Sequence, residues 1–305
     1  MSKPIIVTGA AGLIGFAVAS KLALGGHSVI GTDILPPQDH NTFPYFQADL
    51  RDAHALYPLL KNGALGIIHC GGISGPMLFE NQPHTIVSIN IIGTANVLEA
   101  ARIYDLRRVI YCSSTSAYGN TPLGLELIDE NIALNAVDVY GASKASGDIL
   151  TRAYADQHSL DTVALRFSWV YGPRRRTECI LRQMIQNTRD GKSSCFNFGT
   201  NFTRQYIHID DVVRATLAAW NKDELSQHAY NITGNSSLNF EEIADSIRSI
   251  LPGADIHNLG SDNTGDLNHG TFDTSAASKD FGYTPSKTFV SGVKQYAKWL
   301  EKNKF

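Results

Sequence analysis

Cysteine is scarce in this chain of 305 residues: there are four, Cys70, Cys112, Cys179 and Cys195, far apart and with no C-x-x-C pair. That spacing resembles neither a disulfide framework nor a zinc site, and it fits a reducing, cytoplasmic setting. An excess of one charge is also lacking. With 26 Lys and Arg against 29 Asp and Glu the formal net charge is -3, so no global basic field draws in nucleic acid or an anionic membrane. Ser2-Lys3-Pro4 leads straight into Ile5-Ile6-Val7, too short a stretch for a signal peptide, and no apolar run is expected to reach membrane-spanning length. What is present is 43% hydrophobic and 18% charged residues, enough for one large core or a core plus a smaller lobe. The expected partner is a small molecule, with no metal, nucleic acid or membrane.

The first part of the chain alternates short β-branched runs with helical patterns, the signature of an α/β fold with a doubly wound parallel sheet. Strands are predicted at 4–8, 28–33, 45–48, 66–70, 107–113 and 162–166, with helices between them. Segment 84–104 is apolar on more than one face (Ile86, Val87, Ile89, Ile91, Ile92, Val97, Leu98), whereas a surface helix shows a single stripe. Together with the helix at 140–155 it forms either a homodimer interface or a second layer of the same chain. Beyond Pro173 the elements shorten: a helix at 180–189, a strand near 228–232, and helices at 240–250 and 289–302, with 260–270 read as a loop rich in Gly, Asn and Asp.

Directly after the first strand comes Thr8-Gly9-Ala10-Ala11-Gly12-Leu13-Ile14-Gly15, followed by a helical pattern. A pyrophosphate binds where free N–H groups at a helix N-terminus point at it, and glycines let the backbone come close. Strand, glycine turn and helix in this order make a dinucleotide-binding Rossmann unit. The second strand ends at Asp33, whose carboxylate can accept both adenosine ribose hydroxyls and would repel the extra phosphate of NADP, so NAD is the expected cofactor. Asp49-Leu50, after the third strand, are placed to meet the adenine, although Asp49 or Asp52 also suits a helix N-cap. The NAD-binding Rossmann domain is predicted over residues 1–172, with a returning segment at about 200–222, and a smaller C-terminal substrate lobe mainly over 173–305.

In Tyr140-Gly141-Ala142-Ser143-Lys144 the tyrosine and lysine stand four apart, on one face of a helix. A free phenol has a pKa of about 10, too high for a base at neutral pH, and a nearby ammonium favours the phenolate. Lys144 can supply that charge while binding the nicotinamide ribose. Ser114, at the end of the fifth strand, can hold a substrate oxygen so that its carbon faces the nicotinamide.

These residues resemble an extended short-chain dehydrogenase/reductase of the NAD-dependent epimerase/dehydratase family, over essentially the whole chain. The resemblance also rests on Asn90 in Asn90-Ile91-Ile92-Gly93-Thr94-Ala95-Asn96, on Leu165-Arg166 through Tyr171-Gly172-Pro173, and on Arg204-Gln205-Tyr206-Ile207-His208-Ile209-Asp210-Asp211-Val212. It implies that Asn90 supports the active-site backbone and that His69 to Gly72, with Gly71 and Gly72, line the cofactor; His69, ending a buried strand, reads more readily as a satisfied core residue than as a ligand.

Dehydratases of this family carry an acidic pair just after the catalytic serine or threonine, where this chain has Thr115 and Ser116; dehydration is not expected, and Thr115 joins the candidate substrate residues. Sugar-nucleotide epimerases carry an asparagine two residues before Tyr-Gly-Pro, here Trp169, and an arginine in a stretch for which 265–273 offers none, whereas Arg204 matches their other phosphate-binding arginine. The run His69-Cys70-Gly71-Gly72-Ile73-Ser74, with Glu99-Ala100-Ala101-Arg102, is similar to relatives that oxidise free uronic acids, which implies substrate contact at Ser74. Arg174-Arg175-Arg176 is either a carboxylate or phosphate clamp, through Arg174 and Arg176, or a solvated charge run. Trp169 is either a wall for a sugar ring or lobe packing. The leading expectation is an NAD-dependent dehydrogenase acting at a secondary alcohol of a free sugar or sugar acid. The alternative is a nucleotide-sugar 4-epimerase of the UDP-glucose type, and a third reading is a non-catalytic NAD sensor.

Overall fold

The computed structural model describes residues 2–37, 41–122, 124–260 and 270–303. In chain order its elements are β1 (Ile5–Thr8), α1 (Leu13–Leu24), β2 (Val29–Asp33), β3 (Tyr45–Gln47), α2 (Ala53–Leu60), β4 (Gly66–His69), α3 (Pro83–Val87), α4 (Gly93–Ile103), β5 (Arg108–Ser114), β6 (Leu127–Ile128), α5 (Val139–His158), β7 (Thr162–Phe167) and β8 (Trp169–Tyr171). There follow α6 (Ile180–Arg189), β9 (Ser194–Phe196), β10 (Thr203–His208), α7 (Ile209–Asn221), β11 (Ala229–Ile232), β12 (Ser237–Asn239), α8 (Phe240–Ile250), β13 (Ile256–Asn258), β14 (Thr271–Phe272), α9 (Ser275–Phe281) and α10 (Phe289–Lys302).

Seven strands form one parallel sheet in the order β3-β2-β1-β4-β5-β7-β11. Successive side chains of a strand point to opposite faces, and here both faces are covered. Val7, Ile68, Ile110 and Leu165 pack with Val18, Leu22, Val212 and Ala215 of α1 and α7. On the other face Ile6, Ile67 and Val109 pack with Leu56, Leu60, Val97 and Leu98 of α2 and α4. This double burial is why the strands read as continuous apolar runs rather than alternating ones. A separate core joins α6, α8 and α10 through Leu181, Met184, Ile185, Ile243, Ile247, Val293 and Tyr296.

Several expectations change. The strand near 228–232, placed with the smaller lobe on sequence order, is β11, the seventh strand of the large sheet, paired in parallel with β7. Its partner lies far upstream, so nothing local in the sequence reports the pairing. The segment near 200–222 divides: α7 packs on α1, whereas β10 pairs with β8 and β12 in a three-stranded sheet of its own. Of the predicted loop at 260–270, residues 261–269 lie outside the described residues. The continuous helix Pro83–Ile103, 21 residues long, is by length and composition apolar enough to cross a membrane, where none was expected. The count of consecutive apolar residues misses it because Asn90, Thr94 and Asn96 interrupt the run. It packs on α2, β4 and α5 within the chain, which accounts for its second apolar face.

Candidate active site

The carboxyl ends of the parallel strands open into a cavity of about 390 Å³, at the place where strand order reverses between β1 and β4 and where ligands of such sheets bind. Gly9 turns the chain out of β1 with φ of +67°, and a Cβ there would lie 2.6 Å from the Cys70 carbonyl carbon. A Cβ on Gly15 would lie 2.2 Å from the Gly9 carbonyl oxygen. Only glycine lets α1 approach the strand this closely, and its first turn, with Gly12 as N-cap, presents free N–H groups to the cavity. Gly9, Gly12, Leu13, Ile14 and Gly15 all line it.

Asp33 also lines the cavity, its carboxylate accepting the Ala11 N–H at 3.1 Å and the Leu35 N–H at 3.0 Å. Asp49 and Leu50 lie beside it. The helix cap proposed for Asp49 or Asp52 belongs to Asp52, which accepts the His54 N–H at 2.9 Å. The Asp49 carboxylate is instead held by Arg51, which keeps its pKa below the usual range.

At the far end α5, capped by Asp138 through the Gly141 N–H, carries Tyr140 and Lys144 into the cavity beside Ser114 and Thr115. Lys144 Nζ donates to the Cys112 carbonyl at 2.9 Å and sits 5.1 Å from the Tyr111 ring centre; burial pushes its pKa down. Burial raises the Tyr140 phenol, and its hydrogen bond with Ser114 opposes this. Among the charges near the phenol, Asp138 raises its pKa and Arg175 lowers it. The lysine ammonium is meanwhile held at the β5 backbone by the Cys112 carbonyl.

Asn90 does not line the cavity. Its side chain accepts the Ile73 N–H at 2.7 Å, donates to the Ile73 carbonyl at 3.1 Å and donates to Ser143 Oγ at 2.9 Å. It therefore fixes the Gly71-Gly72-Ile73 turn, which does line the cavity, and anchors that turn to α5. His69 is fully buried between Thr8 Oγ1 at 2.7 Å and Thr94 Oγ1 at 3.0 Å, and burial pushes its pKa down to about 3; it is a satisfied neutral core residue.

Of the expected substrate residues, Ser74, Thr115, Trp169, Arg174 and Arg176 line the cavity. Arg204 does not: its guanidinium lies 3.9 Å from the Trp169 ring centre and 5.0 Å from that of Phe202, behind the wall that Trp169 makes. Arg174 lies 3.6 Å over the Phe16 ring, at the first turn of α1, with φ of +74°. Its Nε and Nη2 are buried with no hydrogen-bond partner, and it stands beside the first turn of α1 as well as lining the cavity. Of the stretch 265–273, which holds no arginine, residues 265–269 lie outside the described residues. Sequence reasoning missed two further features. Arg175, read in sequence only as part of the run Arg174-Arg175-Arg176, acts on the Tyr140 phenol, and Cys70 and Cys112, whose spacing resembles no disulfide framework, stand with their sulfurs 3.3 Å apart. Only the register of β4 against β5 brings them together.

A glycine-cradled cavity at the switch point of a parallel sheet, ending in serine, tyrosine and lysine, defines the class of Rossmann-type enzymes that work through a dinucleotide. The chain belongs to the NAD dependent epimerase/dehydratase family, whose model matches residues 5–233. It is 26% identical to the UDP-glucose 4-epimerase of Mycolicibacterium smegmatis over 94% of this chain and 95% of that protein. Among solved structures it resembles a UDP-glucuronic acid 4-epimerase from Bacillus cereus in complex with UDP-glucuronic acid and NAD, with 25% identity, a TM-score of 0.83, and 98% and 99% of the two chains covered. It shares the fold of a UDP-glucose 4-epimerase from Thermotoga maritima with a TM-score of 0.89 at 23% identity, over 98% and 99% of the chains. NAD is the cofactor, and the cradle fits it: glycines where a Cβ would collide, a carboxylate at the end of β2, and an arginine with unpartnered N–H groups beside the helix N-terminus.

Proposed function

We propose that this enzyme moves a hydride at a secondary alcohol carbon of a nucleoside-diphosphate sugar and returns it to the opposite face, as a 4-epimerase. The observation that carries this is the placing of Ser114, Tyr140 and Lys144 at one end of the cavity, with Thr115 and Ser116 where an eliminating enzyme needs an acid and a base. Among the described residues lining the cavity the carboxylates are Asp33 and Asp49, both at the other end. Bound NAD supplies the hydride acceptor. The Ser114 hydroxyl orients the substrate oxygen, Tyr140 Oη takes its proton, and Lys144, tied to the Cys112 carbonyl, supports the cofactor. The relatives named as 4-epimerases, matched along nearly their whole length, favour the nucleotide-linked substrate.

A second reading, net oxidation of a free sugar or sugar acid, is favoured by one observation. The arginine that would hold a diphosphate, Arg204, is stacked under Trp169 and away from the cavity. The two readings separate when the NAD-loaded protein is given UDP-glucose, UDP-galactose and UDP-glucuronate, and in parallel free uronates and hexoses. Interconversion of the UDP-sugars without net NADH is expected; steady NADH from the free compounds, with the UDP-sugars untouched, replaces the epimerase with the dehydrogenase. The outer face of the helix Pro83–Ile103 and of α5, where Ile92, Ile103 and Ile149 are 50%, 49% and 63% exposed, is proposed as the face of a homodimer. Sedimentation should then give a dimer that Ile149→Glu splits.

A further inference from the structure

The last paired residues of β4 and β5 are His69 and Tyr111, so Cys70 and Cys112 follow side by side on adjacent parallel strands. Neighbouring strands run about 4.8 Å apart, a separation within the Cα span of a cystine. The two sulfurs are 3.3 Å apart, and both residues line the cofactor cavity. Nothing in the proposed hydride transfer uses either thiol. We propose that Cys70 and Cys112 are a redox-responsive dithiol under the cofactor, which a hydroperoxide converts to a disulfide when NAD is absent and which then weakens NAD binding.

The chemistry is complete with hydrogen peroxide as oxidant. One thiol loses its proton and attacks a peroxide oxygen, the O–O bond breaks, and the departing hydroxide takes up that proton, leaving a sulfenic acid and water. The second thiol attacks that sulfur, the S–O bond breaks, and the disulfide and a second water form. Two electrons pass from the thiol pair to the peroxide. The hydrogen bond to Cys112 and burial hold the Cys70 thiol well above its usual pKa, with the Lys144 ammonium opposing. The pair therefore reacts more slowly than an exposed thiol of ordinary pKa, and only while the cavity is open.

Closing the bond draws the sulfurs from 3.3 Å to about 2.05 Å. Both strand ends that the bond would tie are already in use. The Gly9 turn rests on the Cys70 backbone, and the Cys112 carbonyl holds Lys144 Nζ. Tying them constrains the floor on which the cradle and the catalytic lysine rest, and that is how the disulfide weakens NAD binding.

The test treats the NAD-free and the NAD-saturated protein with hydrogen peroxide, and reads intact mass, non-reducing peptide maps and NAD affinity by calorimetry. Expected in the NAD-free protein are loss of two hydrogens, a Cys70–Cys112 linked peptide, and an NAD Kd raised about tenfold or more. Dithiothreitol should reverse all three changes, and NAD should protect. Cys70→Ala and Cys112→Ala, each compared with its own untreated form, should show no peroxide effect on affinity. Absence of the linked peptide at a dose that oxidises the exposed Cys195 overturns the proposal. So does a linked protein with unchanged affinity, or a variant that still loses NAD affinity on treatment. None of these readouts needs a substrate, so failure here and failure of the epimerase reading are distinct.

Discussion

Burial of Tyr140 raises the pKa of its phenol, the Ser114 hydroxyl lowers it, Asp138 raises it and Arg175 lowers it. Removing the Arg175 cation takes away support for the phenolate, so in Arg175→Gln the limb of kcat that rises with pH should move to higher pH. A limb that stays in place, or moves down, would show that Arg175 does not act on the base. Tyr140→Phe keeps the ring and loses the hydroxyl that takes the proton, and should lower turnover by about a hundredfold or more while calorimetry finds NAD affinity little changed. Undiminished turnover in that variant would show that Tyr140 is not the base of the transfer. Tyr140 and Lys144 are legible in sequence because four residues is one helical turn. The partner of each is not. Lys144 reaches the β5 carbonyl of Cys112, and Arg175, which lowers the Tyr140 pKa, comes from the loop after β8.

Elements meet at His69, which joins β1 through Thr8 and α4 through Thr94, while Thr8 Oγ1 also accepts the Gly71 N–H at 3.0 Å. The imidazole is neutral in the fold, with its pKa pushed from 6.5 to about 3 by burial, with Lys144 adding. Its contribution to stability is therefore present in full above the unfolded pKa of 6.5 and is lost as pH falls towards 3, because the unfolded chain takes the proton first. At pH 5 the loss from this group should be about 2 kcal/mol. Urea denaturation across pH 4 to 7 should show that slope in the native protein and lack it in His69→Gln. The glycine turn, the helix it starts and Asp33 were readable because each is a local pattern with a single chemical use. Arg204 and Trp169 were readable as residues, but their stacking depends on β10 lying beside β8.

Across the whole molecule one buried network ties distant segments together. Arg166 of β7 donates to Asp148 of α5 at 2.6 Å, to the Tyr118 hydroxyl at 2.8 Å and to the Glu130 carbonyl at 3.0 Å. The Tyr118 hydroxyl in turn donates to Asn231 of β11 at 2.8 Å. Both Arg166 and Asp148 are buried, so Arg166→Met leaves a carboxylate without its partner. This should cost about 3–5 kcal/mol in chemical denaturation. Adding Asp148→Leu to Arg166→Met should restore part of that loss; if it does not, the packing of the arginine rather than its charge is what matters.

The sequence by itself determined the alternation of strands and helices, the dinucleotide cradle, the acidic residue at the end of β2 and the catalytic face of α5. Each of these is set by residues within a few positions of one another, whose backbone and hydrogen-bonding needs are local. Tertiary structure decided what depends on pairing between distant segments: β11 as the seventh strand, Arg174 beside the cradle, Arg204 beneath Trp169, and the two cysteines in contact. Strand register and burial bring these groups together, and neither is a property of any short stretch of chain.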